Sequence, residues 1–218
     1  MGELDKLEFV KPADIERRSF EIISRELGDK HLDARNELVV KRVIHTTADF
    51  DYADNLVFSE NATAIGVQAL KAGCSIVTDT QMAASGINKR VLARFGGQVH
   101  NFMRDADVAA EARERGVTRS AVCMERAAAL NKPLIYVIGN APTALVRLYE
   151  MLQEGTMSFP PQLIVGVPVG FVNVVESKEL ICDLDVPHIV ARGRKGGSNV
   201  AAAICNALLY LASGNARE

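Results

Sequence analysis

The sequence predicts an α/β protein with a mostly parallel sheet and helices on both faces. Short β-branched runs alternate with longer amphipathic stretches, as in βαβ units. The short runs are apolar almost throughout, which is typical of strands covered on both faces. The 218 residues contain no low-complexity segment and no linker. We therefore expect a single domain over residues 1–218.

Five strands are predicted, enough for a doubly wound sheet. Each is a nearly continuous apolar run of four or five residues. The predicted strands are Ser75–Thr78, Gln98–Phe102, Leu134–Ile138, Leu163–Val167 and His188–Ala191.

Helices are predicted between these strands and before the first of them. The predicted inter-strand and C-terminal helices are Glu60–Ala72, Gln81–Phe95, Thr118–Leu130, Pro142–Gln153 and Ser198–Leu211. Their ends are marked by the possible N-caps Thr118, Asn140 and Ser198, by Pro142 in a first turn, and by Gly73, Gly96 and Gly214 after the last turn. Pro12–Leu27 and Glu37–Thr47 form an added N-terminal helical layer. Gly170–Leu180 is predicted as a helix, with a strand as the alternative because its start is rich in valine.

Composition excludes several classes of protein. The 25 Lys+Arg and 27 Asp+Glu give a net charge of -2, so no general attraction to nucleic acid is expected. No apolar run approaches the roughly 20 residues that cross a bilayer, and the N-terminus lacks the layout of a secretory signal. We therefore expect a cytoplasmic protein with no membrane partner. The four cysteines form no CxxC pair and the histidines no HxH or HExxH pattern, so neither a metal nor a cofactor is predicted.

One predicted helix carries a possible proton donor. Arg42, His45 and Asp49 are three and four residues apart, so on a helix they would share one face. A carboxylate beside an imidazole favours its protonated form, which a general acid near neutral pH requires. This spacing predicts a catalytic His45 supported by Asp49. The alternative is a histidine with a purely structural role beside the core.

The first predicted helix places a hydroxyl among apolar residues. Ile15, Ile22 and Ile23 define an inward stripe, and Ser19 falls on it four residues after Ile15. The hydroxyl either donates back to its own helix or contacts a ligand, and the sequence leaves both open.

Two segments are candidates for binding an anion at a helix N-terminus after a strand. The first is Gly139–Thr143, and the second is the basic loop, which we define as residues Ala191–Ser198. Arg192, Arg194 and Lys195 add charge to the basic loop, and its glycines let a ligand approach the backbone. Either segment could instead be a tight turn with solvated charges. The GxGxxG and GxxxxGK phosphate patterns and the GxSxG esterase pattern are absent.

An ordered series of motifs resembles the precorrin-8X methylmutase family, including its cobalt-precorrin-8 members. The series runs from near the N-terminus to the last helix. The motifs are Glu16-Arg17-Arg18-Ser19-Phe20, Arg42-Val43-Ile44-His45, Ala72-Gly73 with Asp79 and Met82, Thr118-Arg119-Ser120-Ala121, Gly139-Asn140-Ala141-Pro142-Thr143-Ala144-Leu145, Pro168-Val169-Gly170-Phe171-Val172, Glu176-Ser177-Lys178, and Arg192-Gly193-Arg194 with Gly196-Gly197-Ser198.

The resemblance implies a flavodoxin-like fold, a homodimer and an isomerase of cobalamin biosynthesis. The implied reaction moves a methyl group between adjacent carbons of ring C of a tetrapyrrole, without redox change. It gives hydrogenobyrinate, or cobyrinate when cobalt is already in the ring. Two other classes stay open on the residues alone: a non-catalytic corrinoid carrier and a nucleotide-binding α/β enzyme.

The resemblance also implies roles for individual residues. His45 matches a proton donor or acceptor, and Ser19 and Arg42 match positions that contact the substrate. The remaining expected substrate-binding residues are Arg119, Asn140, Arg192, Arg194, Gly196 and Ser198. The arginines are expected to bind the acetate and propionate groups of the ring, and Lys195 is the weakest of the cationic candidates.

Overall fold

A six-stranded, mostly parallel sheet forms the centre of the computed structural model, which describes residues 3–214. The strands are β1 Leu56–Phe58, β2 Ser75–Thr78, β3 Val99–His100, β4 Leu134–Ile138, β5 Leu163–Gly166 and β6 His188–Ala191. They lie in the order β1-β6-β5-β4-β2-β3. Strands β2 to β6 are parallel to one another, and β1 is antiparallel to β6.

The order of the parallel strands creates a switch point at one edge of the sheet. Along the chain the sheet grows from β2 to β3 on one side, then from β4 to β6 on the other. Neighbouring β2 and β4 therefore lead into connections on opposite sides, which opens a crevice where they end. We call the edge where β2, β4, β5 and β6 end the carboxyl edge.

Helices cover both faces of the sheet. They are α1 Ile15–Leu27, α2 Glu37–Thr47, α3 Tyr52–Asn55, α4 Ala62–Lys71, α5 Gln81–Gly86, α6 Lys89–Arg94, α7 Ala106–Arg115, α8 Arg119–Ala128, α9 Pro142–Gln153, α10 Val174–Cys182 and α11 Ser198–Ala212, with 3-10 turns at Glu3–Lys6 and Pro12–Asp14. One core contains residues of α2, α4 and α11, and the other contains residues of α7 to α10.

Strand residues alternate between the two cores. In β4, Ile135 and Val137 face the α11 side, whereas Leu134, Tyr136 and Ile138 face the α9 side, and all five are buried. This period of two explains why the strand is apolar throughout.

The N-terminal helical layer is confirmed. Helix α2 packs on α11, which itself lies on the sheet, and α1 packs on α2. The inward stripe is only partly right, because Ile23 is buried whereas Ile15 is 52% exposed at the start of α1. The predicted domain also includes residues 1–2 and 215–218, which lie outside the described residues.

Several elements differ from the prediction, including α3, which was not predicted, and β3, which is limited to Val99–His100. The five-stranded sheet gains a sixth strand, β1, whose three residues are too few to show an alternating pattern. Helix α7 was missed because only two of its residues, Val108 and Ala112, are buried. The predicted helix Gln81–Phe95 is broken into α5 and α6, and Asn206 stabilises the break by accepting from Asn88 N and donating to Gly86 O.

Helix ends agree with the sequence in part. Thr118 caps α8 by accepting from Ala121 N, as predicted. Asn140 and Ser198 are not N-caps, because Ala141 and Gly197 occupy those positions. Residues 170–173 form a bend, so α10 begins at Val174 and the strand alternative is wrong. Over residues 3–214, no helix combines the length and apolar character needed to cross a bilayer.

Removing a core side chain tests this packing. Leu148 is fully buried on α9, and we expect Leu148→Ala to lower the free energy of unfolding by about 2–5 kcal/mol, because the cavity cannot fill. Leu130→Ala is the control, since Leu130 is 36% exposed and should cost less than about 1 kcal/mol. Urea unfolding followed by circular dichroism measures both, and equal losses would contradict the assignment of the core.

Candidate functional site

A buried carboxylate joins the ends of β2 and β4 at the switch point. Asp79 is 1% exposed, and its two oxygens accept from the backbone N–H groups of Gly139, Asn140 and Ala141 at 2.8, 2.8 and 2.7 Å. Burial raises the pKa of the Asp79 carboxyl, and the three N–H donors act against that rise. Asp79 thus fixes the connection from β4 to α9.

This contact removes one of the two predicted anion sites. The backbone amides of Gly139–Ala141 already donate to Asp79, so they are not available to a ligand. The prediction of a backbone anion site at this segment is wrong. The exposed Asn140 side chain is unaffected, and its contact with substrate stays a prediction.

The basic loop packs closely on the end of β5. Gly196 has a φ of 159°, and a Cβ there would lie 2.2 Å from Val167 O and 2.7 Å from Pro168 O. Gly197 N donates to Val167 O at 2.8 Å. Any side chain at residue 196 would therefore push the loop off the strand.

The end of the basic loop keeps free donors. Ser198 Oγ and Thr80 Oγ1 are 2.8 Å apart, which ties the start of α11 to the segment after β2. The N–H groups of Ser198, Asn199 and Val200 have no acceptor among the described residues, as expected for the first turn of a helix. The second predicted anion site therefore still has unpaired backbone donors.

An ion pair joins the basic loop to the segment after α2. Lys195 Nζ lies 2.6 Å from a carboxylate oxygen of Asp49 and 2.6 Å from one of Asp51. Helix α2 ends at Thr47, and Ala48 adopts a left-handed conformation with φ of 52°. The prediction that Asp49 shares a helical face with His45 is wrong, because Asp49 follows the end of the helix.

His45 is exposed in the last turn of α2 and is not buried in the core. Its ring lies edge-on to Phe20, with 5.7 Å between the ring centroids. Partial burial, and then the neighbouring positive charge of Arg42, lower the pKa of His45 below its ordinary value of 6.5. Asp49 does not contribute to this shift, and the direction is opposite to that expected for a carboxylate support.

Arg42 is a nearly buried cation beside His45. Its Nη2 lies 2.5 Å from Glu16 Oε1, and its guanidinium carbon lies 4.7 Å from the Tyr210 ring centroid and 5.4 Å from that of Phe20. Its Nε has no partner among the described residues. The side chain borders an open cleft of about 650 Å³ between α1 and α2. Nε itself is buried, so it is a donor that the described fold leaves unpaired beside this cleft.

The Ser19 hydroxyl donates back to its own helix, which was one of the two roles that the sequence left open. It donates to Ile15 O at 2.8 Å. The oxygen can still accept a hydrogen bond, so contact with substrate stays a prediction.

The remaining arginines differ in whether they are already paired. Arg192 lies 3.2 Å from a Glu179 oxygen. Arg194 lies over the exposed ring of Phe171, 5.5 Å from its centroid, and Arg119 is exposed at the start of α8. Over the described chain neither Arg194 nor Arg119 pairs with a carboxylate, so both can bind one from a ligand.

Sequence reasoning about chemistry missed two buried charged residues that shape this site, Asp79 and Lys178. Both occur in the motifs quoted above, without a role. The signal for Asp79 was its position directly after an apolar strand, where the carboxyl edge lies. Lys178 gave no such signal, because its contacts are to backbone carbonyls 15 and 17 residues away. Over residues 3–214, no cluster of three or more His, Cys, Asp or Glu residues could hold a metal ion.

The fold and site define a class, an α/β protein with a candidate cationic site at the carboxyl edge of its sheet. Comparison with known proteins identifies the family. Residues 14–211 match the precorrin-8X methylmutase family, to which this chain belongs.

Several relatives support that membership over nearly the whole chain. The chain is 49% identical to the cobalt-precorrin-8 methylmutase of Salmonella typhimurium, covering 92% of this chain and 95% of that protein. It is 43% identical to the precorrin-8X methylmutase of Pseudomonas aeruginosa, covering 89% and 93%. A solved structure of precorrin-8X methylmutase from Thermus thermophilus is similar with a TM-score of 0.83 and 37% identity, covering 92% and 98%.

Replacing the buried carboxylate tests its structural role. Asp79→Asn should lower the free energy of unfolding by about 2–5 kcal/mol, because an amide NH2 would face backbone donors and leave them unpaired. The matched control is Asp29→Asn, an exposed position where no loss is expected. Urea unfolding measures both, and a loss below about 1 kcal/mol for Asp79→Asn would contradict the role.

Proposed function

We propose that this chain catalyses the methylmutase reaction of its family, with His45 moving the proton. The reaction shifts a methyl group between adjacent carbons of ring C of precorrin-8X or cobalt-precorrin-8. Membership of the family and the names of its relatives support the reaction. They favour an enzyme over the carrier alternative, because the relatives are named as methylmutases.

The position of His45 carries the proposal for the proton. It is an exposed imidazole one helical turn from Arg42, on a helix whose following segment is tied to the basic loop through Lys195. A substrate with several carboxylates can thus meet the cations while its ring reaches the imidazole. The neighbouring rings of Phe20 and Tyr210 add apolar surface beside Arg42.

The lowered pKa of His45 sets the order of events. In the free protein the imidazole is mostly neutral at pH 7. Carboxylates of a bound substrate would offset the charge of Arg42 and raise the pKa of His45, so the imidazolium forms in the complex. Protonation makes the conjugated ring electron-poor and lowers the barrier to methyl migration. The proton then returns to His45, as an isomerisation requires.

The cations and free amides supply binding and orientation. We propose that Arg42, Arg119 and Arg194 bind substrate carboxylates, because each has N–H donors that the described residues leave unused. Arg192 can join them by exchanging Glu179 for substrate. Proton transfer of this kind typically contributes 10²–10⁴-fold to rate, and holding the reactive conformer contributes much of the rest.

Three further expectations are kept as proposals. The fold is flavodoxin-like, because the five parallel strands, numbered along the chain, lie in the order 2-1-3-4-5. The homodimer and the cytoplasmic location follow from the sequence resemblance and composition. Light scattering after size-exclusion chromatography measures the mass of the protein in solution and so tests the homodimer directly.

Removing the imidazole separates an enzyme from a carrier. His45→Ala should lower kcat by about 10²–10⁴-fold, because the proton donor is lost. Its affinity for hydrogenobyrinate, measured by absorbance titration, should change by less than about threefold. His31→Ala, an exposed histidine outside the site, is the control and should keep full turnover. A wild-type protein that binds product but turns over neither precursor would be a carrier.

The acid form of His45 predicts a specific pH dependence. Because kcat/KM reports the free enzyme, it should fall as pH rises through the His45 pKa, with a midpoint below 6.5. Asp49→Asn is the control. Its fall of kcat/KM with pH should coincide with that of the wild type, because Asp49 contacts Lys195 and not His45. A midpoint above 6.5, or a displaced limb in Asp49→Asn, would contradict this account.

A further inference from the structure

Lys178 is a fully buried lysine whose contacts are to backbone carbonyls. On α10 its side chain is 0% exposed, and Nζ donates to Gly193 O at 2.7 Å and to Lys195 O at 2.8 Å. Among the described residues no carboxylate forms an ion pair with it. Burial lowers the pKa of Lys178 to about 8, which still leaves most of it charged at pH 7. A buried charge without a counter-ion is costly and rarely retained without a role.

The contacts of Lys178 determine which way the basic loop points its amides. All peptide bonds in the described chain are trans, so each N–H points opposite to the carbonyl of the same peptide. With Gly193 O and Lys195 O turned toward Lys178, the N–H groups of Arg194 and Gly196 point away from it. Neither N–H has an acceptor among the described residues.

The loop is held in this shape from both sides. Between the two carbonyls bound by Lys178, Arg194 O accepts from Gly170 N at 3.2 Å. Three successive carbonyls are therefore fixed by the protein, and the outward amides are arranged before any ligand arrives. The Arg194 and Gly196 amides, two residues apart, both point away from Lys178, so one anion on that side of the loop could accept from both.

Among the described residues, the positive charges around the basic loop are not all paired with carboxylates. Lys195 contacts Asp49 and Asp51, and Arg192 contacts Glu179. Over the described residues Lys178 and Arg194 form no ion pair with a carboxylate, although the charge of Glu179 favours the charged form of Lys178. The loop thus has positive charge that a ligand carboxylate can neutralise.

We propose that Lys178 is a positioning residue for substrate binding. It orients the Arg194 and Gly196 amides toward one carboxylate of the tetrapyrrole and adds positive charge beneath them. This inference rests on the proposed function for the identity of the ligand. Lys178 does not touch the reacting ring and takes no part in the proton transfer.

Two neutral variants separate the charge from the hydrogen bonds. Lys178→Met removes both, whereas Lys178→Gln keeps a donor. We expect KM for precorrin-8X to rise about tenfold or more in Lys178→Met and less in Lys178→Gln, with kcat within about threefold of the wild type. Lys132→Met is the matched control, because Lys132 lies near Ser75 at the opposite edge of the sheet and should leave KM unchanged. A fall in kcat with KM unchanged would overturn the proposal.

Ligand charge provides a readout that general structural damage would not reproduce. In titrations, Lys178→Met should lose affinity for hydrogenobyrinate but not for the fully amidated ring, which has no carboxylates. Equal losses for both ligands would overturn the proposal. Because this assay measures binding alone, it remains decisive if the wild-type chain shows no mutase turnover, which would count against the proposed function.

A third test uses the wild-type protein, so it does not require a substituted protein to fold. Metal-free hydrogenobyrinate added to ¹⁵N-labelled protein should shift the amide proton resonances of Arg194 and Gly196 downfield, as expected when N–H groups donate to a carboxylate. Unchanged resonances at saturating ligand would overturn the proposal.

Discussion

The site depends on one buried carboxylate at the point where the sheet reverses its order. Asp79 accepts three backbone N–H bonds from the connection after β4, and so holds the ends of β2 and β4 in a fixed relation. The same segment after β2 carries Thr80, whose hydroxyl contacts Ser198 at the start of α11. Three elements far apart in sequence therefore meet at one place. Leaving the buried oxygens of Asp79 or these N–H groups without hydrogen-bond partners would be costly, which makes the arrangement specific.

The carboxyl edge contains two buried ionisable residues, Asp79 and Lys178, with different roles. Asp79 accepts from the Gly139, Asn140 and Ala141 N–H groups of the connection to α9, so these three amides cannot bind an anion. Lys178 consumes backbone acceptors of the basic loop, which leaves the amides of that loop for a ligand. The unpaired backbone donors therefore lie at only one of these two helix starts, that of α11. His45 lies on the helix whose following residues pair with Lys195 of that loop.

Local sequence patterns predicted the helices and strands whose ends and periodicity are encoded by their own residues. Pro142–Gln153 was predicted with both ends correct because a first-turn proline and an amphipathic pattern mark it. The break after α5 depends on Asn206, 118 residues from Asn88, so no local pattern could indicate it. Within the site, helical spacing suggested Asp49 as the partner of His45. Asp49 instead contacts Lys195, which is 146 residues away in sequence and reaches Asp49 only in the folded chain. The motifs of the family resemblance, in contrast, include residues from every part of the site, because they are compared position by position along the whole chain.

The central claim is that this carboxyl-edge site converts a tetrapyrrole by methyl migration and does not merely bind it. The most direct measurement incubates the purified chain with precorrin-8X, and separately with cobalt-precorrin-8, while the visible spectrum is recorded. The account predicts conversion of at least one precursor to hydrogenobyrinate or cobyrinate with no oxidant, reductant or cofactor added. A spectrum in which the product binds tightly while both precursors stay unchanged would contradict it.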